Sequence, residues 1–218
     1  MSRLILFDID GTLIDAGGAG LMAIQQAAVE VFGNEGPPLD LAGSTDSGIV
    51  RGFFEHFGRE FDEDTEEAFY RSYLPRMEKN LHSPCFGGHV LPGVKELIAS
   101  FEEEGHVLGL LTGNIERGAM IKVAHYGFEN CFEFGSYGDD HWDRNKLGPI
   151  ALERAFHHTG REFASSEVVV IGDTPKDVAC AKAFGARSVA VATGSFDEEK
   201  LVESGADTVV PNLVGFQL

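Results

Sequence analysis

Cysteine is scarce in this chain, with Cys85, Cys131 and Cys180 the only three among 218 residues. An odd number without close C-x-x-C spacing points away from a zinc site or a redox pair and leaves ordinary reduced thiols. Cations are also few. Seventeen Lys and Arg stand against 35 Asp and Glu, a formal net charge of −18, and such a field repels nucleic acid and anionic membrane alike because no basic patch overrides it. No apolar run is long enough to span a bilayer, and no apolar signal core precedes the acidic residues that begin at Asp8. The expectation is a cytoplasmic protein, monomer or homodimer, with neither a nucleic-acid nor a membrane partner. The eight histidines show no metal-binding spacing such as H-E-x-x-H. No internal repeat or low-complexity segment interrupts a composition of 43% apolar and 24% charged residues, which suits a packed globular core.

Against these absences, five short apolar runs stand out: Arg3 to Asp8, Val107 to Leu111, a weaker one near Phe132 to Phe134, Val168 to Ile171, and Ser188 to Val191. Each has strand length. Between them lie helical periodicities over Val94 to Glu104, Ile115 to Tyr126, Pro149 to His158 and Pro175 to Phe184. Strands alternating with helices predict right-handed βαβ units and an α/β fold with a parallel sheet covered on both faces. One interval is helical throughout, through Leu21 to Phe32, Ser47 to Phe57 and Glu66 to Leu81. It predicts a small α-helical cap over residues 16–84, inserted after the first strand into a core of residues 1–15 and 85–218. Gly17-Gly18 and the stretch from Pro84 to Gly88 supply turn or hinge residues at the two junctions.

Chemistry concentrates at the predicted strand ends, the edge where parallel sheets bind ligands. The first strand runs into Asp8-Ile9-Asp10-Gly11-Thr12, the second into Thr112-Gly113-Asn114, and the fourth into Gly172-Asp173-Thr174-Pro175-Lys176-Asp177. Thr112 reads either as a helix cap or as a phosphate ligand. Acidic clusters converging on one crevice would raise one another's pKa values unless a cation intervened. Oxygen donors without His or Cys favour Mg²⁺ over zinc. Near the third strand, Arg144 or Lys146 offers a cation for a carboxylate and a phosphate oxygen.

These four elements, in this order, resemble the haloacid dehalogenase superfamily over essentially the whole chain. The helical insertion resembles the branch that contains phosphoglycolate phosphatases and β-phosphoglucomutases. The resemblance implies a Rossmann-like core and an Mg²⁺-dependent phosphatase acting on a small phosphorylated metabolite through an aspartyl-phosphate. Asp8 would be the nucleophile and Asp10 the acid and base. Thr112 would hold a phosphate oxygen, with Gly11, Gly113 and Asn114 beside it. Asp8, Asp173 and the main-chain carbonyl of Asp10 would hold the metal, supported by Asp177. Relatives commonly carry Lys-Pro-x-Pro where this chain has Arg144-Asn145-Lys146-Leu147-Gly148-Pro149. Counting back from Pro149 favours Lys146, and Arg144 has the longer reach. The stretch from Leu41 to Asp46 resembles a substrate-facing cap loop, which gives Ser44 and Thr45 either a substrate contact or a helix-capping role.

Among alternatives, a phosphosugar mutase shares every core residue and stays open. A dehalogenase has no use for Asp10, a carbon–phosphorus hydrolase needs a cap lysine better placed than Lys79, and a phospho-aspartate signalling protein needs neither Asp10 nor a cap.

Overall fold

The computed structural model describes residues 2–38 and 40–218. At its centre lies β1 (Leu4–Phe7), wholly buried and flanked in parallel by β4 (Val107–Leu111) and β6 (Val168–Gly172), with Leu4 opposite Val107 on one side and Val168 on the other. Alternation along β1 divides the interior. Ile5 and Phe7 pack with α4 (Val94–Glu103) and α5 (Glu116–His125) on one face. Leu4 and Leu6 pack with α6 (Leu147–Thr159) and α7 (Pro175–Ala183) on the other. A strand buried on both faces therefore reads as a continuous apolar run, as Leu4–Phe7 does.

Beyond β4 lies β5 (Gly135–Ser136), and beyond β6 lie β7 (Arg187–Val191) and β8 (Thr208–Val210), giving the sheet order β5-β4-β1-β6-β7-β8. The third predicted strand is thus displaced from Phe132–Phe134 to Gly135–Ser136. The two phenylalanines serve the flanking cores, Phe132 against Phe7 and Phe134 in the opposite cluster, while the paired ladder starts at Gly135. The chain leaves β1 toward β4 and later returns to β6 on its other side. This is a switch point, so a crevice opens at the carboxyl end of β1.

Three helices fill the interval after β1: α1 (Ala19–Phe32), α2 (Asp46–His56) and α3 (Glu63–Leu81). They share a separate apolar cluster, in which the Phe32 ring lies 5.5 Å from both Phe53 and Phe57 and 5.3 Å from Phe54. Helix α3 starts at Glu63, ahead of the apolar periodicity, because the Asp62 side chain accepts from the Thr65 amide at 2.8 Å. The chain enters and leaves this helical block through an antiparallel ribbon of β2 (Ile14–Asp15) and β3 (His89–Val90), with Ile14 opposite Val90. Among the described residues, no helix is long and apolar enough to cross a membrane.

Candidate active site

Immediately after β1 the chain turns tightly, the amides of Leu13 and Ile14 both donating to the Ile9 carbonyl at 2.9 and 3.1 Å. Gly11 takes a φ of +79°, and a Cβ there would lie 2.3 Å from an Asp173 carboxylate oxygen. Only glycine meets both demands. The turn fixes Asp8, which is buried and whose amide donates to the Ile171 carbonyl at 2.9 Å. Asp173 follows β6, and Asp177 occupies the first turn of α7, where it accepts from the Thr174 amide at 3.0 Å and the Thr174 hydroxyl at 2.6 Å in a capping box.

Oxygens of Asp8, Asp173 and Asp177 lie within 4.8 Å of one another, all three residues buried. Burial and the neighbouring carboxylates push Asp173 well above the usual carboxylate range. Burial likewise pushes Asp8 up to about 6, against the opposing pull of the Arg144 guanidinium. One guanidinium does not offset three acids. The donor set is all oxygen, Asp173 has a protein hydrogen bond only from Thr12 at 3.2 Å among the described residues, and a hard divalent cation fits such a set.

Arg144 stands in a single 3₁₀ turn, Arg144–Lys146, that leads into α6. Its buried guanidinium contacts Asp8 at 3.1 Å, donates to Asp177, and reaches the Leu111 carbonyl at 3.3 Å and the Gly43 carbonyl at 3.2 Å. Lys146 is exposed and does not line the cavity. The count from Pro149 that favoured Lys146 is therefore corrected: the cation facing the carboxylates is Arg144.

Asp10 stands apart from the acidic trio, with its carboxylate 42% exposed. It is held by a residue that sequence reasoning missed. Lys122, buried on α5, donates to Asp10 at 2.6 Å and to the Asn114 side-chain oxygen at 2.6 Å, and the Asn114 amide donates to Asp10 at 2.8 Å. The available signal was a lysine on the apolar face of a helix, three residues after buried Ala119 and beside buried Val123. Thr112 is fully buried, its hydroxyl accepting from the Asn114 side chain at 2.9 Å and the Asn114 amide at 3.3 Å.

The helical block closes over these residues at the N-terminus of α2. The Asp46 amide donates to the Gly113 carbonyl at 2.7 Å, and the Asp46 carboxylate accepts from the Ile115 amide at 3.0 Å. A Cβ on Gly113 would meet the Ser44 carbonyl at 1.9 Å, so this approach needs glycine. Thr45 caps α2, accepting from Gly48 at 3.1 Å and donating to the Trp142 carbonyl at 2.6 Å. With those bonds made, it does not line the cavity. Of the two roles open to Thr45, the structure shows the helix cap, with a bond that docks it on the core. Ser44 does line the cavity, bonded to the Asp40 carbonyl at 2.8 Å and to Lys176 at 2.7 Å.

Between block and sheet lies a cavity of about 460 Å³ that reaches Asp8, Asp10, Gly11, Gly113, Asn114 and Asp173. Thr193 to Ser195, a loop after β7 to which sequence reasoning assigned nothing, completes the rim, and Thr193 donates to the Gly11 carbonyl at 2.6 Å.

Burial raises the Asp46 carboxyl from 3.8 to about 6, partly countered by Lys122. A folded pKa above the unfolded one makes ionised Asp46 a cost to the fold. That cost is absent below pH 4, grows as pH rises toward 6, and is complete above it. Asp46→Asn, whose side-chain oxygen still accepts from Ile115, is expected to stabilise the fold by up to about 3 kcal/mol at pH 8 and by nothing at pH 4. Thermal melts at the two pH values check this.

Comparison with known proteins places these features in context. A family model described as "Haloacid dehalogenase-like hydrolase" matches residues 5–191. The chain is 29% identical over 212 residues to an N-acetylmuramic acid 6-phosphate phosphatase from Pseudomonas aeruginosa, covering 95% of this chain and 90% of that protein. It is 30% identical over 208 residues to a phosphoglycolate phosphatase from Mesorhizobium japonicum, covering 90% and 86% respectively. A crystal structure of a hydrolase from Pseudomonas syringae shares the fold, with a TM-score of 0.74, 21% identity, and coverage of 98% of this chain and 95% of that one.

Proposed function

The chain belongs to the haloacid dehalogenase-like hydrolase family, and from that premise we propose that its cavity hydrolyses small phosphate monoesters, with Asp8 as the nucleophile. The observation that carries this reading is a division of labour between two carboxylates. Asp8 is buried beside Arg144 and Asp173, whereas Asp10, two residues on, faces the cavity on a separate tether of Lys122 and Asn114.

In the first half-reaction an Asp8 oxygen attacks phosphorus, the ester P–O bond breaks, and Asp10 gives its proton to the departing alkoxide. In the second, Asp10 takes a proton from water as that water attacks the aspartyl-phosphate, freeing inorganic phosphate and restoring Asp8. Arg144 faces the nucleophile and offsets charge gathered on the phosphoryl oxygens. Thr112 is fully buried and, like Thr45, does not line the cavity; its hydroxyl holds the main-chain and side-chain amides of Asn114 and so positions Asn114 at the cavity wall. The Gly113 amide lies at the same edge, whereas the Gly11 amide already donates to the Ile14 carbonyl at 2.8 Å. Residues 16–84 serve as a cap that screens the cavity from bulk solvent and leaves the water beside Asp10 to attack the intermediate.

Mg²⁺ is the cation this donor set suits, held by Asp8, Asp173 and the Asp10 carbonyl, with Asp177 bracing the group. Bound there, it supplies positive charge that lets a carboxylate and a phosphate approach.

Phosphate release from a panel of small esters, with Mg²⁺ and with chelator, tests the reading. Turnover with Mg²⁺ that vanishes on chelation is expected. No release from any ester would sink it, and isomerised hexose phosphate without free phosphate would favour a mutase. Lys122→Met is expected to lower kcat by about 10²-fold with little change in KM, because it loosens the acid and base without touching phosphate. Steady-state kinetics on the best ester of the panel separate the two constants.

A further inference from the structure

If Asp10 hands its proton to the departing alkoxide, the leaving oxygen lies beside Asp10 and the body of the alcohol extends from there into the cavity. Gly20, in the first turn of α1, lines that cavity. A Cβ built on it would lie 3.7 Å from the Lys122 ammonium and 3.9 Å from the Tyr73 hydroxyl, and the same ammonium holds Asp10 at 2.6 Å. Resting on the phosphatase reading, we infer that Gly20 sets the size of the leaving alcohol. Its missing side chain leaves the space that a ring-sized alcohol occupies near the acid, and a side chain at this position restricts the site to smaller esters.

Nothing in the fold asks for glycine at this position. Gly18, the N-cap of the same helix, takes a φ of +85° and so favours glycine. Gly20 lies within the helix and has no positive φ. Its Cβ would make ordinary van der Waals contacts, unlike the clashes at Gly11 and Gly113, so neither α3 nor α5 comes too close for a methyl group. Glycine in a helix costs stability relative to alanine. The two atoms that the methyl group would meet belong to Lys122 and Tyr73, side chains that themselves line the cavity, so the room it would take is room in the site. A residue that weakens its helix and yields only cavity space serves what the cavity holds.

The cavity has the size and lining for a ring. Its volume of about 460 Å³ is far more than phosphate and two carbon atoms fill, and lies in the range of pockets that enclose larger ligands. Leu21, Ile24, Leu41 and Ile49 line it as well, and apolar side chains gain from covering the carbon face of a ring. This selection works by volume and applies to charged and neutral alcohols alike. One methylene more or less in a fitted pocket changes selection by about tenfold or more, so glycine against alanine at position 20 is enough to decide which alcohols enter.

Two esters, each with Mg²⁺ present, test this in wild type, Gly20→Ala and Gly20→Val: p-nitrophenyl phosphate, whose leaving group is a ring, and 2-hydroxyethyl phosphate, whose leaving group has two carbons. Comparing variants on one ester at a time cancels the difference in leaving-group chemistry. Gly20→Ala is expected to lower kcat/KM about tenfold for the ring ester and at most about threefold for the two-carbon ester, and Gly20→Val to lower the ring ester further. Inorganic phosphate, which carries no alcohol, is expected to inhibit Gly20→Ala with a Ki within about twofold of wild type. Gly20→Ala is also expected to melt about 2 °C higher than wild type. Equal losses on the two esters overturn the inference, because the methyl group then acts through Lys122 rather than on the alcohol. An unchanged ring ester, a raised phosphate Ki or a lower melting temperature in Gly20→Ala overturns it too, as does a wild type that hydrolyses the two-carbon ester and not the ring ester, while in each of these cases the phosphatase reading stands. Wild-type silence on both esters and on the rest of the panel overturns both.

Discussion

Asp8→Asn is expected to lower phosphate release by at least about 10⁴-fold while leaving the fold as stable as before or more so. The loss follows from chemistry, since a neutral amide is not a nucleophile for phosphorus and water attack unaided by a covalent intermediate is slow. The retained stability follows from electrostatics. Burial pushes the Asp8 carboxyl up to about 6, so its ionised form is a cost to the fold above that pH and Asn removes the cost. Arg144 keeps Asp177 as a partner. Two measurements separate these effects: phosphate release with Mg²⁺, and melting temperature with and without it. Wild type is expected to melt higher with Mg²⁺ by mass action, and the variant to gain less. A variant that retained a tenth of wild-type turnover would remove Asp8 from the mechanism.

Arg144→Met and Lys146→Met, two residues apart, are expected to differ by several kcal/mol. Removing the guanidinium strips two buried acids, Asp8 and Asp177, of their common cation, and breaking a buried ion pair on one side costs about 3–5 kcal/mol. It also unties the Gly43 carbonyl from the core. Lys146 is exposed, and substitutions at such positions stay within about 0.5 kcal/mol. Denaturant melts of both variants, beside phosphate release, check the pair. Arg144→Lys, which restores charge without the planar fork, is expected to recover part of the stability and less of the activity.

That pair also shows where sequence reasoning stops. A 3₁₀ turn advances roughly 120° per residue, so residues 144 and 146 face different ways, and nothing in the string Arg144-Asn145-Lys146 says which way is inward. The strand ends were easier. Leu4–Phe7 and Val168–Gly172 are buried on both faces, which makes them continuous apolar runs, and the acidic residues after them mark the sheet edge without ambiguity. The cap helices were legible from their periodicity, because α1 to α3 each bury one face in a shared cluster of aromatic rings.

Other features carried weak local signals. Strand β8 spans three half-buried residues, too few for a pattern. Lys122 was hidden because a lone lysine is read as solvated unless its partners are known, and those partners, Asp10 and Asn114, are 112 and 8 residues away. Thr45 was ambiguous for a different reason: one hydroxyl serves a cap and a ligand equally well in sequence, and only its bond to the Trp142 carbonyl decides.

The way the cap meets the core has a bearing on how such an enzyme can change. Asp46 donates to the Gly113 carbonyl, Thr45 to that of Trp142, Ser47 to that of Gly138, and Arg144 to that of Gly43. In these four bonds, unlike that from the Ile115 amide to the Asp46 carboxylate, the acceptor is a peptide oxygen, a group that no point substitution removes. Half of each handshake is thus immune to mutation. The seam can hold its alignment while side chains of the helical block that line the cavity, such as Leu21, Ile24 and Ile49, are free to drift, and a lineage built this way can reshape its cavity without losing the fit between the two parts.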